Sequence, residues 1–125
     1  MAEEGAYRLH IPAREEALFV VRLTASGVAA GHEVGMETLE DLKTAVYEAC
    51  YAMMHQKLRP AGLCVEFRAG GDFAVRVSAE GPTEETDGRE IDPALCRAVL
   101  ETVISEVEIE ADESGIRVIA MRHRP

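Results

Sequence analysis

Large apolar and polar residues alternate through Tyr7-Arg8-Leu9-His10-Ile11 and stop at Pro12, the period-2 signature of a short strand that a proline ends. From Ala13 to about Ala30 the period changes. Leu18, Val21 and Val28 recur at helical spacing, and Gly27 weakens and Gly31 stops the run. After a turn over 31–35, Thr38 is placed to cap a long helix in which Leu39, Leu42, Val46, Ala49 and Met53 form one continuous apolar stripe. Pro60-Ala61-Gly62 is expected to break that helix. Leu63 to Arg68 and Phe73 to Ser78 return to period 2 around Ala69-Gly70-Gly71-Asp72, which predicts a hairpin.

Glu80 to Asp92 carries Gly, Pro, Thr and Asp with almost nothing to bury, so it reads as an exposed loop. Asp92 can then cap a helix with Pro93 in its first turn, and Leu95, Val99, Val103 and Val107 are its expected buried face. Glu106 to Ala111 and Gly115 to Met121 form a second hairpin around Asp112-Glu113-Ser114. The order strand, helix, long helix, hairpin, loop, helix, hairpin predicts a two-layer α/β sandwich, with antiparallel pairing prominent and helices on one sheet face. At 125 residues, without repeats or a linker, residues 1–125 read as a single domain.

Charge and cysteine content narrow the function classes. The net charge of -10 repels phosphate backbones, and the largest basic run is Arg122-His123-Arg124, which argues against direct nucleic-acid binding. An acidic surface suits a basic protein partner, and it also serves solubility alone. Cys50, Cys64 and Cys96 are odd in number, with neither a CxxC pair nor a histidine at zinc-ligand spacing beside them. They read as buried free thiols, and no metal site is expected. Met1 to Gly5 lacks the basic start and apolar run of a signal peptide, and no apolar stretch approaches the length of a membrane span. The expected compartment is the cytoplasm.

The run Leu42-Lys43-Thr44-Ala45-Val46-Tyr47-Glu48-Ala49-Cys50 resembles the N-box helix of the anti-sigma-factor serine kinases, in the histidine-kinase-like (GHKL) ATPase superfamily, where it reads roughly KTAVSEACTNAIEH. Val99 to Ile109 is similar to the helix and strand after that family's second glycine-rich box. The order and spacing of the elements match as well, from Leu9 to Met121. The resemblance implies an α+β fold of the histidine-kinase-like ATPase (Bergerat) type, with a mixed, mostly antiparallel sheet. It also implies ATP and magnesium as cofactors, and phosphorylation of a serine on an anti-anti-sigma (STAS-type) partner. Members of the family hold a sigma factor inactive.

Departures from the family pattern decide how much of that transfers. Glu48 matches the N-box Glu, the family's general base, and is the one candidate catalytic residue. It reads equally as a solvated surface residue. A gap-free alignment puts Ala52 where the magnesium-binding Asn belongs and Gln56 where a His often closes the motif. A one-residue deletion would bring His55 to that position, but a deletion inside a helix rotates everything after it by about 100°. At helical spacing Glu48, Ala52 and His55 are expected to share a face opposite the apolar stripe. Of the family's adenine-binding DxGxG, the stretch Ala79-Glu80-Gly81-Pro82 keeps only Gly81, the one candidate cofactor-binding residue, which reads also as a plain turn glycine. Glu80 would point to the other sheet face. Ala94 and Cys96 replace phosphate-approaching glycines, and Asp92 places a negative charge where phosphate would sit.

Three readings remain. The first is a regulator acting by partner switching on a sigma factor or an anti-anti-sigma protein, with weak or lost ATP binding, in effect a pseudokinase. The second is an active ATP-dependent serine/threonine kinase using Glu48 as base and Glu80 as a substitute acid. The third is a homodimer-forming domain with Met53, Met54 and Cys96 packed into the vacated site.

Overall fold

A computed structural model describes residues 6–70 and 72–124 of the chain. The first strand, β1 (Ala6–Pro12), leads through a 3-10 turn (Glu15–Ala17) into α1 (Leu18–Gly31) and α2 (Met36–Met54). Strands β2 (Leu58–Arg68) and β3 (Phe73–Glu85) follow, then α3 (Pro93–Leu100), β4 (Glu106–Asp112) and β5 (Gly115–His123). The five strands form one sheet in the order β1-β2-β3-β5-β4. Every pairing is antiparallel, where a mixed sheet was expected.

Alternation along the strands gives the sheet two unlike faces. Ile11, Leu63, Val65, Phe67, Val75, Val77, Ile119 and Met121 are buried. They meet the apolar sides of the helices, drawn from Val21, Ala25 and Val28 of α1 and Leu42, Val46, Ala49 and Met53 of α2. The opposite face carries Arg8, His10, Glu66, Arg68, Arg76, Glu80 and Arg122, an ion-paired surface without a covering layer among the described residues.

Several boundaries differ from the periodicity reading, each for a local reason. Gly35, not Thr38, stands at the start of α2, in extended conformation and without a side-chain cap. The long helix ends at Met54, so Pro60-Ala61-Gly62 lies inside β2 and does not break a helix. Pro60 is tolerated because β1 stops opposite Gly62, leaving that side of β2 free of a ladder partner, and the register with β3 slips between Pro60 and Gly62. The same extension carries β3 to Glu85, so the expected loop shrinks to residues 86–92. In α3 the buried stripe is Cys96 and Leu100, continued by Ile104, while Leu95 is 58% exposed and Val99 40%. Both stripes repeat every four residues, so spacing cannot choose between them. Packing of α3 against α2 and β4 does.

Candidate functional site

The second half of α2 presents three kinds of surface. Tyr47, Tyr51 and His55 stack along one side, with ring centroids 6.1 Å and then 4.0 Å apart. His55 Nδ1 lies 2.8 Å from the carbonyl oxygen of Tyr51, and its Nε2 lies 3.8 Å from a Glu15 carboxylate oxygen. A second side forms the core. On the third, Glu48 is half-buried and Ala52 is only 3% exposed.

This third side does not stand opposite the apolar stripe in water, as the helical-wheel argument expected. It is covered by α3, whose Cys96 thiol is close enough to feel the charge of Glu48. Burial first, and that carboxylate second, push the Cys96 pKa up to about 11. His55 does not share the face, because the helix has ended at Met54 and the backbone of His55 has left helical geometry.

Gln56 is the residue that sequence reasoning missed. Its side chain is buried, with the residue 1% exposed, and every polar atom is used. The amide Nε2 donates to the carbonyls of Ala52 at 2.8 Å, Ile91 at 3.1 Å and His55 at 3.2 Å, and Oε1 accepts from the backbone N–H of Ile116 at 3.1 Å. A side chain at Gly115 would meet Oε1 at 2.5 Å, so this glycine is what admits the amide. The segment 86–91 is sewn to the same place: Thr86 donates from its hydroxyl to Gln56 O and from its N–H to Lys57 O, and Ile91 N–H donates to His55 O. A lone glutamine after a helix carries no sequence signal for such a role.

The N-terminus of α3 is already occupied by its own chain. Asp92 Oδ1 accepts from Ala94 N–H at 2.7 Å, with Pro93 in the first turn. This satisfies one of the free donors that make a helix start attractive to anions, and places a carboxylate beside the rest. Arg97, at the other end, donates to the carbonyl of Val107 and ties α3 to β4.

Gly81 has a positive φ of 77°, and a Cβ there would come within 3.1 Å of the Ala61 side chain. It sits within β3 across from the irregular part of β2, so its backbone conformation accounts for the glycine without a ligand. Glu80 points to the open sheet face, as alternation predicted, where its carboxylate lies 2.8 Å from His10 Nδ1. It is therefore on the far side of the sheet from Glu48 and cannot act beside it. Cavities of about 400, 320 and 200 Å³ lie on the open face, beside Pro60 and between the starts of α2 and β3. Neither Glu48 nor Gly81 lines any of these three.

The thiols are free, but only two are buried. Cys50 is pushed up to about 12 by burial. Cys64 departs from expectation: it is half-buried on the open face, and partial burial with Glu80 and Glu66 nearby still raises its pKa.

No protein-family model matches the chain. The serine-protein kinase RsbW of Bacillus pumilus (strain SAFR-032) is 33% identical over 131 residues, covering 88% of this chain and 80% of that protein. The chain belongs to the RsbW family of anti-sigma-factor serine-protein kinases. The RsbW of Bacillus subtilis (strain 168) is 28% identical over 92% of the chain and 83% of its own length. The crystal structure of the RsbU and RsbW domains of Rv1364c from Mycobacterium tuberculosis superposes with a TM-score of 0.73 at 18% identity, over 95% of this chain. This chain spans 31% of that longer one, and the likeness concerns the fold. In this fold Glu48 and Ala52 stand on the second half of α2, Gln56 two residues past its end and Asp92 at the cap of α3.

Proposed function

We propose that this RsbW-family chain is a partner-switching regulator that captures a sigma factor or an anti-anti-sigma protein and has weak or no ATP binding. The observation that carries this reading is the pairing of a buried Ala52 with an Asp92 carboxylate seated on the α3 N-terminus. The residues present do not fit magnesium and ATP. A methyl at Ala52 offers no oxygen to a hard cation, Gln56 has all its polar atoms committed to backbone groups, and Asp92 repels phosphate. Each lost polar contact costs about 1–3 kcal/mol, so losing several together weakens binding on the order of a thousandfold. Met53, Met54 and Cys96 are buried beside these positions, consistent with a filled site. No helix of the described residues is long and apolar enough to cross a membrane, and the reading places the protein in the cytoplasm.

The test is direct binding of the purified chain to each sigma factor and each STAS-type protein of its host, with and without magnesium and ATP. A stable complex insensitive to nucleotide, with no phosphate on the partner, supports the proposal. Absence of any complex, or nucleotide-dependent phosphorylation of the STAS-type protein, overturns it. One observation favours the active-kinase reading: Glu48 remains half-buried where α2 meets α3 and its charge reaches Cys96. In that reading Glu48→Ala abolishes phosphate transfer.

A further inference from the structure

The strand register brings together three metal-ligand side chains that lie far apart in sequence. His10 on β1 stands directly opposite Cys64 on β2, and Cys64 opposite Ser78 on β3. Glu80 lies one same-face position beyond Ser78, opposite Gly62. Since Gly62 carries no side chain, nothing on β2 stands between Glu80 and β1, and the Glu80 carboxylate reaches His10 Nδ1 at 2.8 and 3.1 Å. One ligand atom each from His10, Cys64 and Glu80 lies within 4.8 Å of the other two.

We propose that His10, Cys64 and Glu80 hold one borderline-soft divalent cation, zinc being the type, on the open face of the sheet. Tetrahedral zinc, with bonds of about 2.0–2.3 Å, sets its ligand atoms about 3.3–3.6 Å apart. With the three ligand atoms already within 4.8 Å of one another, small side-chain shifts bring them to that spacing. The donor set of imidazole, thiolate and carboxylate suits zinc or cobalt and is a poor match for magnesium or calcium. On binding, the Cys64 thiol gives up its proton to solvent, and the thiolate and Glu80 together balance the two positive charges. The neutral imidazole supplies a lone pair, and solvent takes the fourth position. The nearest competing charges are already engaged: Glu66 is held by Arg8 at 2.7 Å and by Arg68 at 3.2 Å.

The site ties the edge strand β1 to β2 and β3 across the sheet, on the face away from Glu48 and α3. It is independent of the nucleotide question. Cys50 and Cys96, buried on the helix side, take no part.

The experiment uses the full chain, reduced and stripped of metal with a chelator, then titrated with cobalt(II) and back-titrated with zinc. One equivalent of cobalt is expected to give the thiolate-to-cobalt absorption band of a tetrahedral site, which zinc abolishes. Cys64→Ser is expected to remove the band. His10→Gln and Glu80→Gln are expected to weaken zinc by at least about tenfold, since even outer-shell partners of a metal are worth about 10–100-fold. No band in the unaltered chain, or an unchanged band in Cys64→Ser, overturns the proposal. Should Cys64→Ser fail to fold by circular dichroism, His10→Gln decides in the same titration: unchanged zinc affinity overturns the proposal, and a tenfold loss supports it.

Discussion

Replacing Gln56 by alanine tests how the end of α2 and the segment over it are held. The substitution removes four hydrogen bonds at a residue 1% exposed. Ala52 O keeps a partner in the N–H of His55, but the Ile116 N–H and the Ile91 carbonyl lose the amide they shared. One buried and one half-buried polar group left without partners, at about 1–3 kcal/mol each, give an expected loss of about 2–6 kcal/mol before any cavity cost. Against a total stability of about 5–15 kcal/mol this is a large fraction. Urea unfolding followed by far-ultraviolet circular dichroism reads it, with unchanged slopes showing that the transition stays two-state. Gln56→Met fills the same volume without polar atoms, so a loss common to both variants belongs to the hydrogen bonds. Limited proteolysis is expected to cut within 86–92 sooner in both. A loss below about 1 kcal/mol in both variants would refute the view that this amide is a structural clamp.

Other expectations follow from single residues. Gly81→Ala, forced to φ 77° with its Cβ 3.1 Å from Ala61, is expected to lose about 1–2 kcal/mol in the same urea assay while leaving partner binding intact. With Cys50 at about 12 and Cys96 at about 11, both raised from 9.0 by burial, Ellman's reagent at pH 8 is expected to titrate one thiol, Cys64, in the folded chain and all three in denaturant. Because the unfolded chain releases those thiol protons near pH 9 and the folded chain retains them, stability is full below pH 9 and falls as the pH rises towards about 11–12. Urea midpoints across that range check the sign. Glu48→Ala is expected to leave partner capture unchanged and to lower the Cys96 pKa, read as faster labelling of that thiol at pH 10 in a Cys50→Ala, Cys64→Ser background.

Much of the fold was legible because Leu42, Val46, Ala49 and Met53 impose a helical period and Val65, Phe67, Val75 and Val77 a strand period, each strong enough to set an element and its face. What escaped depends on contacts between elements. Pro60 reads as a breaker until β1 is seen to end beside it. The Leu95 and Cys96 stripes of α3 share one period, and only their neighbours decide which is buried. In the site, Glu48 and Gly81 were found by motif, and local geometry then supplied a backbone reason for Gly81 and a neighbour for Glu48. Gln56, and the meeting of His10 with Cys64 and Glu80, are products of register and chain reversal. Parity along a correctly aligned pair of hairpins was the one signal available for the latter.

We propose that this RsbW-family chain keeps a partner-binding fold while its own residues close the nucleotide site. Thermal unfolding and calorimetry of the purified chain with millimolar ATP or ADP, with and without magnesium, test it most directly. A ligand that binds the folded state must raise its melting temperature by mass action. The account predicts neither a melting shift nor heat of binding. A shift that requires magnesium would contradict it and restore Glu48 as the base of a working kinase.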